Sequence, residues 1–189
     1  MMNYRNLLSF SFLLLALTAW AQPNGTGNYY QDANGKKGKS LKTALFGIIK
    51  SPNVVSYKGL WDAYKKTDLR SDGKIWDMYS DITNFDPDKG HAGNYSKEGD
   101  MYNREHSFPK SWFNDAKPMY SDIVHVVPAD GYVNNRRSNL PYGETDGTWK
   151  SHGGFSKVGT CSLPGYSGKV FEPNDEYKGD FARIYFYMA

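Results

Sequence analysis

Two stretches of this 189-residue chain hold the side chains best suited to chemistry. The first reads Tyr102-Asn103-Arg104-Glu105-His106-Ser107-Phe108-Pro109, and the second runs from Ser121 to Asn139 through Asp122, His125, Asn134, Arg136 and Arg137. A neutral imidazole can take a proton from water at neutral pH. Hard divalent cations prefer oxygen ligands such as those of Glu and Asn. A guanidinium fork matches phosphate oxygens in shape and charge. An imidazole, a carboxylate, a carboxamide and guanidinium groups together suit metal-assisted attack on a phosphodiester.

These groups must be brought together by their elements. Tyr102 to Ser107 reads as a strand or strand end, because Pro109 stops regular pairing soon after His106. Glu105 and His106 then point to opposite faces, so the reading requires a backbone bend for both to serve one centre. The run from Asp122 to Val127 is expected to form a buried strand ended by Pro128. Asp130 to Ser138 then forms a short helix carrying Asn134 and Arg137 on one face. His125 falls on the buried strand, where a hydrogen-bonded place behind the site suits it better than the role of base. Asp122 is expected to orient a neighbouring side chain.

With these residues in view, Glu105-His106, Asp122, Val133-Asn134 and Arg137-Ser138-Asn139 resemble the core motif of the bacterial endonuclease I family. That family comprises secreted or periplasmic nucleases of the ββα-metal (His-Me finger) superfamily. The likeness extends through Phe171-Glu172-Pro173 to the run from Ala182 to Met188, and weakly upstream to Trp61. It implies an α+β fold with a ββα-metal core and surrounding helices. It also makes His106 the general base, places one Mg²⁺ or another divalent cation on Glu105 and Asn134, and sets Arg137, with Arg136 beside it, at the scissile phosphate. The implied substrate is DNA, with RNA also open, cut with little sequence preference to leave 5′-phosphates. An extracellular ribonuclease of the same family is the alternative, as is a secreted nucleic-acid-binding protein without activity. Where relatives often read Asp-Leu-His-His, this chain reads Asp122-Ile123-Val124-His125. Relatives also continue past the Tyr187-Met188 pair, so the expectation is a domain lacking its C-terminal part.

Length, with 39% hydrophobic and 16% aromatic residues, bounds the chain to one domain with a core. Residues 1–21 read as a signal peptide, with Arg5, an apolar run from Leu7 to Ala19, and Ala19-Trp20-Ala21 before the cut. This predicts a secreted or periplasmic product, monomeric and without stable membrane association after cleavage. Residues 22–37 have linker composition, and 38–189 form the endonuclease I-like domain. The lone Cys161 rules out an internal disulfide. A net charge of +3 is too mild to argue for nucleic acid by itself. Lys36, Lys37, Lys39 and Lys42 read as solvated surface, while Arg136 and Arg137 adjoin the motif.

Outside the motif, apolar spacing from Leu41 to Ile49 predicts a core-packed amphipathic helix with Ser40 as N-cap. Leu60, Trp61 and Tyr64 suggest a second helix. Lys74 to Ser80 alternates like a strand, with Asp77 a solvated or hydrogen-bonded member. Residues 84–100 read as a loop with an exposed His91, and 142–168 as turn-rich without catalytic signal. Phe181, Ile184, Tyr185 and Met188 give a final helix its apolar face.

Overall fold

The computed structural model describes residues 27–82 and 84–189. The expected signal peptide lies outside the described residues. Among the described residues, no helix is long and apolar enough to cross a membrane. The chain divides into two units, residues 1–52 and 53–189.

In the first unit, helix α1 spans Gly38–Ile49. Its predicted stripe, Leu41, Ala44, Leu45, Ile48 and Ile49, is half-buried, and no residue of the helix is buried. The helix was legible; its place in a core was not. Ser40 does not cap it either. Ser40 lies inside the first turn and its Oγ donates to the Lys37 carbonyl at 2.8 Å.

The second unit holds the other α-helices and all the strands among the described residues. Helix α2 spans Leu60–Thr67 and buries Leu60 and Tyr64. Residues 74–80 form no strand beyond a single bridge between Leu69 and Ile75. Their polar groups are satisfied another way: the buried Asp77 carboxylate accepts from the Tyr79 amide at 2.7 Å and the Asp130 amide at 2.8 Å. A side chain thus does what a neighbouring strand would have done.

Strands β1 (Tyr102–His106) and β2 (Val126–Asp130) form an antiparallel hairpin, in register from Tyr102↔Asp130 to His106↔Val126. β2 starts later than expected and runs through Pro128. The bonds beyond both ends, Gly131 N to Met101 O and Ser107 N to His125 O, put odd-numbered residues at the hydrogen-bonded positions. Pro128, opposite Arg104, therefore sits where β1 needs no amide from it. Residues 123–125, expected in the strand, form the turn that leads into it.

Helix α3 (Gly131–Arg137) follows β2 without a loop. Asp130 is its N-cap, accepting from the Val133 amide at 2.9 Å, and it also accepts from the Gly99 amide at 2.6 Å. Losing both bonds at a fully buried position should be felt. Asp130→Ala is expected to lower unfolding free energy by about 1–2 kcal/mol, read by urea denaturation; an unchanged midpoint would remove the cap from the stability of this unit.

The turn-rich segment contains β3 (Trp149–Lys150) and β4 (Lys157–Thr160), which join β5 (Lys169–Glu172) in a three-stranded antiparallel sheet ordered β3-β4-β5. Helix α4 (Asp175–Met188) is capped by Asn174 and buries Tyr177, Phe181 and Ile184. Its predicted apolar face is largely the observed one. The fold is α+β.

Two apolar clusters lie on the two faces of the hairpin. Val127 and Ala129 join Tyr79, Val133, Phe171, Phe181 and Ile184, whereas Val126 and Tyr102 join Leu60, Tyr64, Ile75 and Phe85. Alternation along the strands feeds both clusters.

Candidate active site

That alternation also places the chemistry. Glu105 pairs with Val127 and shares its face, while His106 pairs with Val126 on the other. The register continues unbroken through His106, so the bend required by the sequence reading is not there. Instead Glu105 and His106 both border one pocket of about 300 Å³, and Asn134 of α3 borders it with them. The strand–strand–helix order brings the three expected residues together without distorting the strand.

Glu105 is only 4% exposed. Its Oε1 accepts from the Tyr79 hydroxyl at 2.8 Å and from Arg137 at 2.7 Å. Burial pushes the carboxyl above its ordinary value, and the Arg137 charge offsets only part of that. The Tyr79 hydroxyl lies 2.6 Å from that of Tyr142, so the carboxylate is held by a chain of polar groups.

Arg137 does not stand free at the pocket, as a phosphate fork would. It is 1% exposed, and besides Glu105 it donates to the carbonyls of His106 at 3.0 Å and Ser107 at 2.6 Å. Its Nε is buried with no acceptor among the described residues. The side chain lines the pocket wall, but its terminal nitrogens tie down the end of β1. Arg136 is exposed and lies outside the pocket, donating to the Tyr132 hydroxyl at 2.7 Å.

The His106 ring is stacked near Tyr57, with centroids 5.8 Å apart, and its Nε2 lies 3.0 Å from the Tyr120 carbonyl. A carbonyl only accepts, so Nε2 carries the proton and Nδ1 holds the free lone pair. Burial lowers the imidazole to about 4, against the opposite pull of the Tyr120 carbonyl. It is therefore neutral at neutral pH.

His125 lies behind it. The residue is fully buried, its ring centroid is 5.7 Å from that of His106, and its Nε2 is 2.6 Å from the Met119 carbonyl. Its own carbonyl accepts from the amide and the hydroxyl of Ser107. Asp122 accepts from the Val124 amide at 3.0 Å and from the Tyr187 hydroxyl at 2.6 Å. Its carboxylate fastens the turn before β2 to α4.

Sequence reasoning missed Tyr79, Tyr57 and the use made of Arg104. Arg104 lies over the rings of Tyr57 and Trp61, 3.6 and 4.3 Å from their centroids, and donates to the Tyr57 carbonyl at 2.6 Å. His91, expected to be exposed, stacks on Trp61 at 4.3 Å. Only the Arg104 position, inside the motif, carried any sequence signal.

The donor set fits a hard cation. Glu105 and Asn134 offer oxygen ligands in one pocket, and among the described residues no group of three His, Cys, Asp or Glu could hold an ion. A cation such as Mg²⁺, which keeps several waters and takes phosphate oxygens, needs no more than that. A fully protein-ligated zinc would.

A family model described as Endonuclease I matches residues 37–189. The chain belongs to the endonuclease I family. It is similar to an extracellular ribonuclease of Bacillus subtilis (strain 168), 39% identical over 183 residues that cover 93% of this chain and 58% of the relative. It is also similar to an extracellular ribonuclease of Bacillus amyloliquefaciens, 35% identical over 169 residues, covering 87% and 53%. An Endonuclease-1 of Buchnera aphidicola subsp. Baizongia pistaciae (strain Bp) is 29% identical over 101 residues, covering 53% and 37%. The chain thus spans little more than half the length of the two ribonucleases it matches. No solved structure matches it.

Proposed function

We propose that the chain is a secreted, metal-dependent nuclease that hydrolyses phosphodiester bonds with little sequence preference and leaves 5′-phosphates. The observation that carries this reading is the meeting of Glu105, His106 and Asn134 in one pocket, with the Nε2 of His106 tied to a carbonyl. Glu105 and Asn134 would hold one Mg²⁺. Bound there, the ion supplies positive charge at the phosphate and the leaving 3′ oxygen.

The chain's own residues do the rest. His106 accepts the proton of the attacking water at Nδ1, and the Tyr120 carbonyl, already bonded at Nε2, steadies the imidazolium that results. Arg137 and Tyr79 hold Glu105 in one orientation, so little reorganisation is left for the reaction. In this reading Arg137 positions Glu105 and does not contact the phosphate. The strand–strand–helix order, the family and the donor set all support a ββα-metal core.

RNA stands beside DNA as substrate because both Bacillus relatives are named extracellular ribonucleases. Cleavage of supercoiled plasmid and of single-stranded RNA, each with Mg²⁺ and with excess EDTA, tests the function and ranks the substrates. Both are expected to be cut only with metal. Full cleavage in excess chelator overturns the metal role, and no cleavage of either overturns the nuclease. Asn134→Ala is expected to raise the Mg²⁺ concentration needed for half-maximal rate by about tenfold or more, with the thermal midpoint unchanged. An unchanged metal requirement would free Asn134 from ligation.

A further inference from the structure

Arg104 has no described acidic partner. It is half-buried, lies against two aromatic rings and spends one N–H on the Tyr57 carbonyl, yet no carboxylate among the described residues forms an ion pair with it. A guanidinium carries five donors in a fixed plane, so its capacity for an anion is largely unused. The clamp is itself backed, since His91 stacks on the far ring, Trp61. This is a rigid cation held beside a candidate phosphodiesterase site.

A second pocket, of about 270 Å³, lies where that cation does. It shares Tyr57, Tyr95, Asn103, Arg104 and Asn134 with the pocket of Glu105 and His106, so the two lie side by side. Tyr95 is half-buried and makes no ring contact with another aromatic among the described residues. It packs against Gly131, where a Cβ would come within 2.8 Å of its ring and 3.1 Å of the Asn103 amide nitrogen. The glycine leaves room for both side chains at the start of α3. The second pocket therefore offers a guanidinium without a carboxylate partner and a ring without an aromatic partner among the described residues, together with a side-chain amide.

We propose that this second pocket is a subsite for the nucleotide next to the scissile phosphodiester in a single strand, with Arg104 on its phosphate and Tyr95 against its base. The proposal rests on the nuclease reading of the neighbouring pocket. A base can reach a ring in this way only when it is unstacked, which single strands allow and duplexes resist. Asn103 supplies hydrogen bonds to a base edge or sugar.

The test is binding of fluorescein-labelled single-stranded RNA and DNA octanucleotides to the full chain in EDTA, by anisotropy across a salt series. Arg104→Met keeps an unbranched side chain between the two rings and removes the fork. It is expected to weaken binding about tenfold and to reduce the slope of log K against log salt by about 0.7, the loss of one phosphate contact on a single strand. A merely structural Arg104 would leave that slope unchanged. Tyr95→Ala is expected to weaken single-strand binding about tenfold and duplex binding far less. It also keeps the question answerable if Arg104→Met does not fold. With Mg²⁺, both variants should raise KM on single strands with kcat nearly constant. If the chain cleaves but both variants bind and cleave like the parent, the subsite falls and the nuclease stands. If the chain binds single strands through Arg104 and Tyr95 but cleaves nothing, the nuclease reading falls and takes the subsite with it, leaving a single-strand binding groove without a scissile phosphate. Absence of octanucleotide binding by the parent overturns the subsite.

Discussion

His106→Ala is expected to lower turnover by about 10²–10⁴-fold while leaving nucleic-acid binding nearly intact. The geometry separates it from the other buried histidine. His106 lines the pocket with Glu105, and its Nδ1 is the nitrogen left free by the Tyr120 carbonyl. His125 is fully buried, lies outside the pocket wall and has a buried Nδ1 without a partner. His125→Ala should therefore act through stability, lowering the melting midpoint more than kcat. Single-turnover cleavage and binding, measured for both variants below their midpoints, decide the matter; a dead His125→Ala beside an active His106→Ala would reverse the assignment. The acidity of the base gives an independent readout. Burial lowers the imidazole from its ordinary value of about 6.5 to about 4, so the free lone pair persists well below neutral pH. The acid limb of kcat/KM is then expected below pH 6, approaching 4. A limb at the ordinary imidazole value would mean that His106 is solvated in the working enzyme.

How much of this could be read from the chain depends on how local the cause is. That Glu105, His106 and Asn134 border one pocket was expected from the family motif and from the order of two strands and a helix in sequence; their roles belong to the proposal. The supposed bend was not needed for both residues to border one pocket, since the pairing of β1 with β2 runs unbroken through His106. Helices α2 and α4 were legible from apolar spacing, since their periodicity is a property of the segment alone. The sheet of β3, β4 and β5 was not, because strands of two to four residues carry almost no periodic signal. Residues 74–80 show the opposite failure. Their alternation was real, yet the Asp77 carboxylate took the role that a partner strand would have filled. Tyr79 and Tyr142 were invisible for a related reason: a tyrosine becomes part of a site only through what it reaches, here a carboxylate 26 residues away in sequence. Arg137 was placed at the scissile phosphate, whereas its terminal nitrogens bond Glu105 and the carbonyls of His106 and Ser107. Its residue type fits phosphate and buried carboxylate equally well, and burial, which decides between them, is a property of the fold.

Arg137→Met is expected to destabilise the protein by about 3–5 kcal/mol. The pair itself is only 2.7 Å apart and nearly solvent-free, so removing the cation leaves the Glu105 carboxylate buried with the Tyr79 hydroxyl as its remaining side-chain partner. The carbonyls of His106 and Ser107 lose their donors in the same step, which loosens the end of β1 that carries His106. Arg137→Lys should recover only part of the loss, because one ammonium cannot serve three acceptors that a planar fork spans. The sign of the pH dependence follows from Glu105. Burial already raises its carboxyl, and without Arg137 it rises further, so the folded variant binds a proton more tightly than the unfolded chain. A raised value contributes stability below the unfolded value and loses it as pH rises through the folded one. The deficit of Arg137→Met relative to the parent should therefore be largest at neutral pH and shrink toward pH 4. Adding Glu105→Gln should restore part of the stability at neutral pH, since the double variant buries no lone charge. Urea denaturation of the parent, both single variants and the double variant at pH 7 and pH 4.5 measures the coupling. A loss under about 1 kcal/mol for Arg137→Met, together with a rise in KM in the folded protein, would return Arg137 to the phosphate.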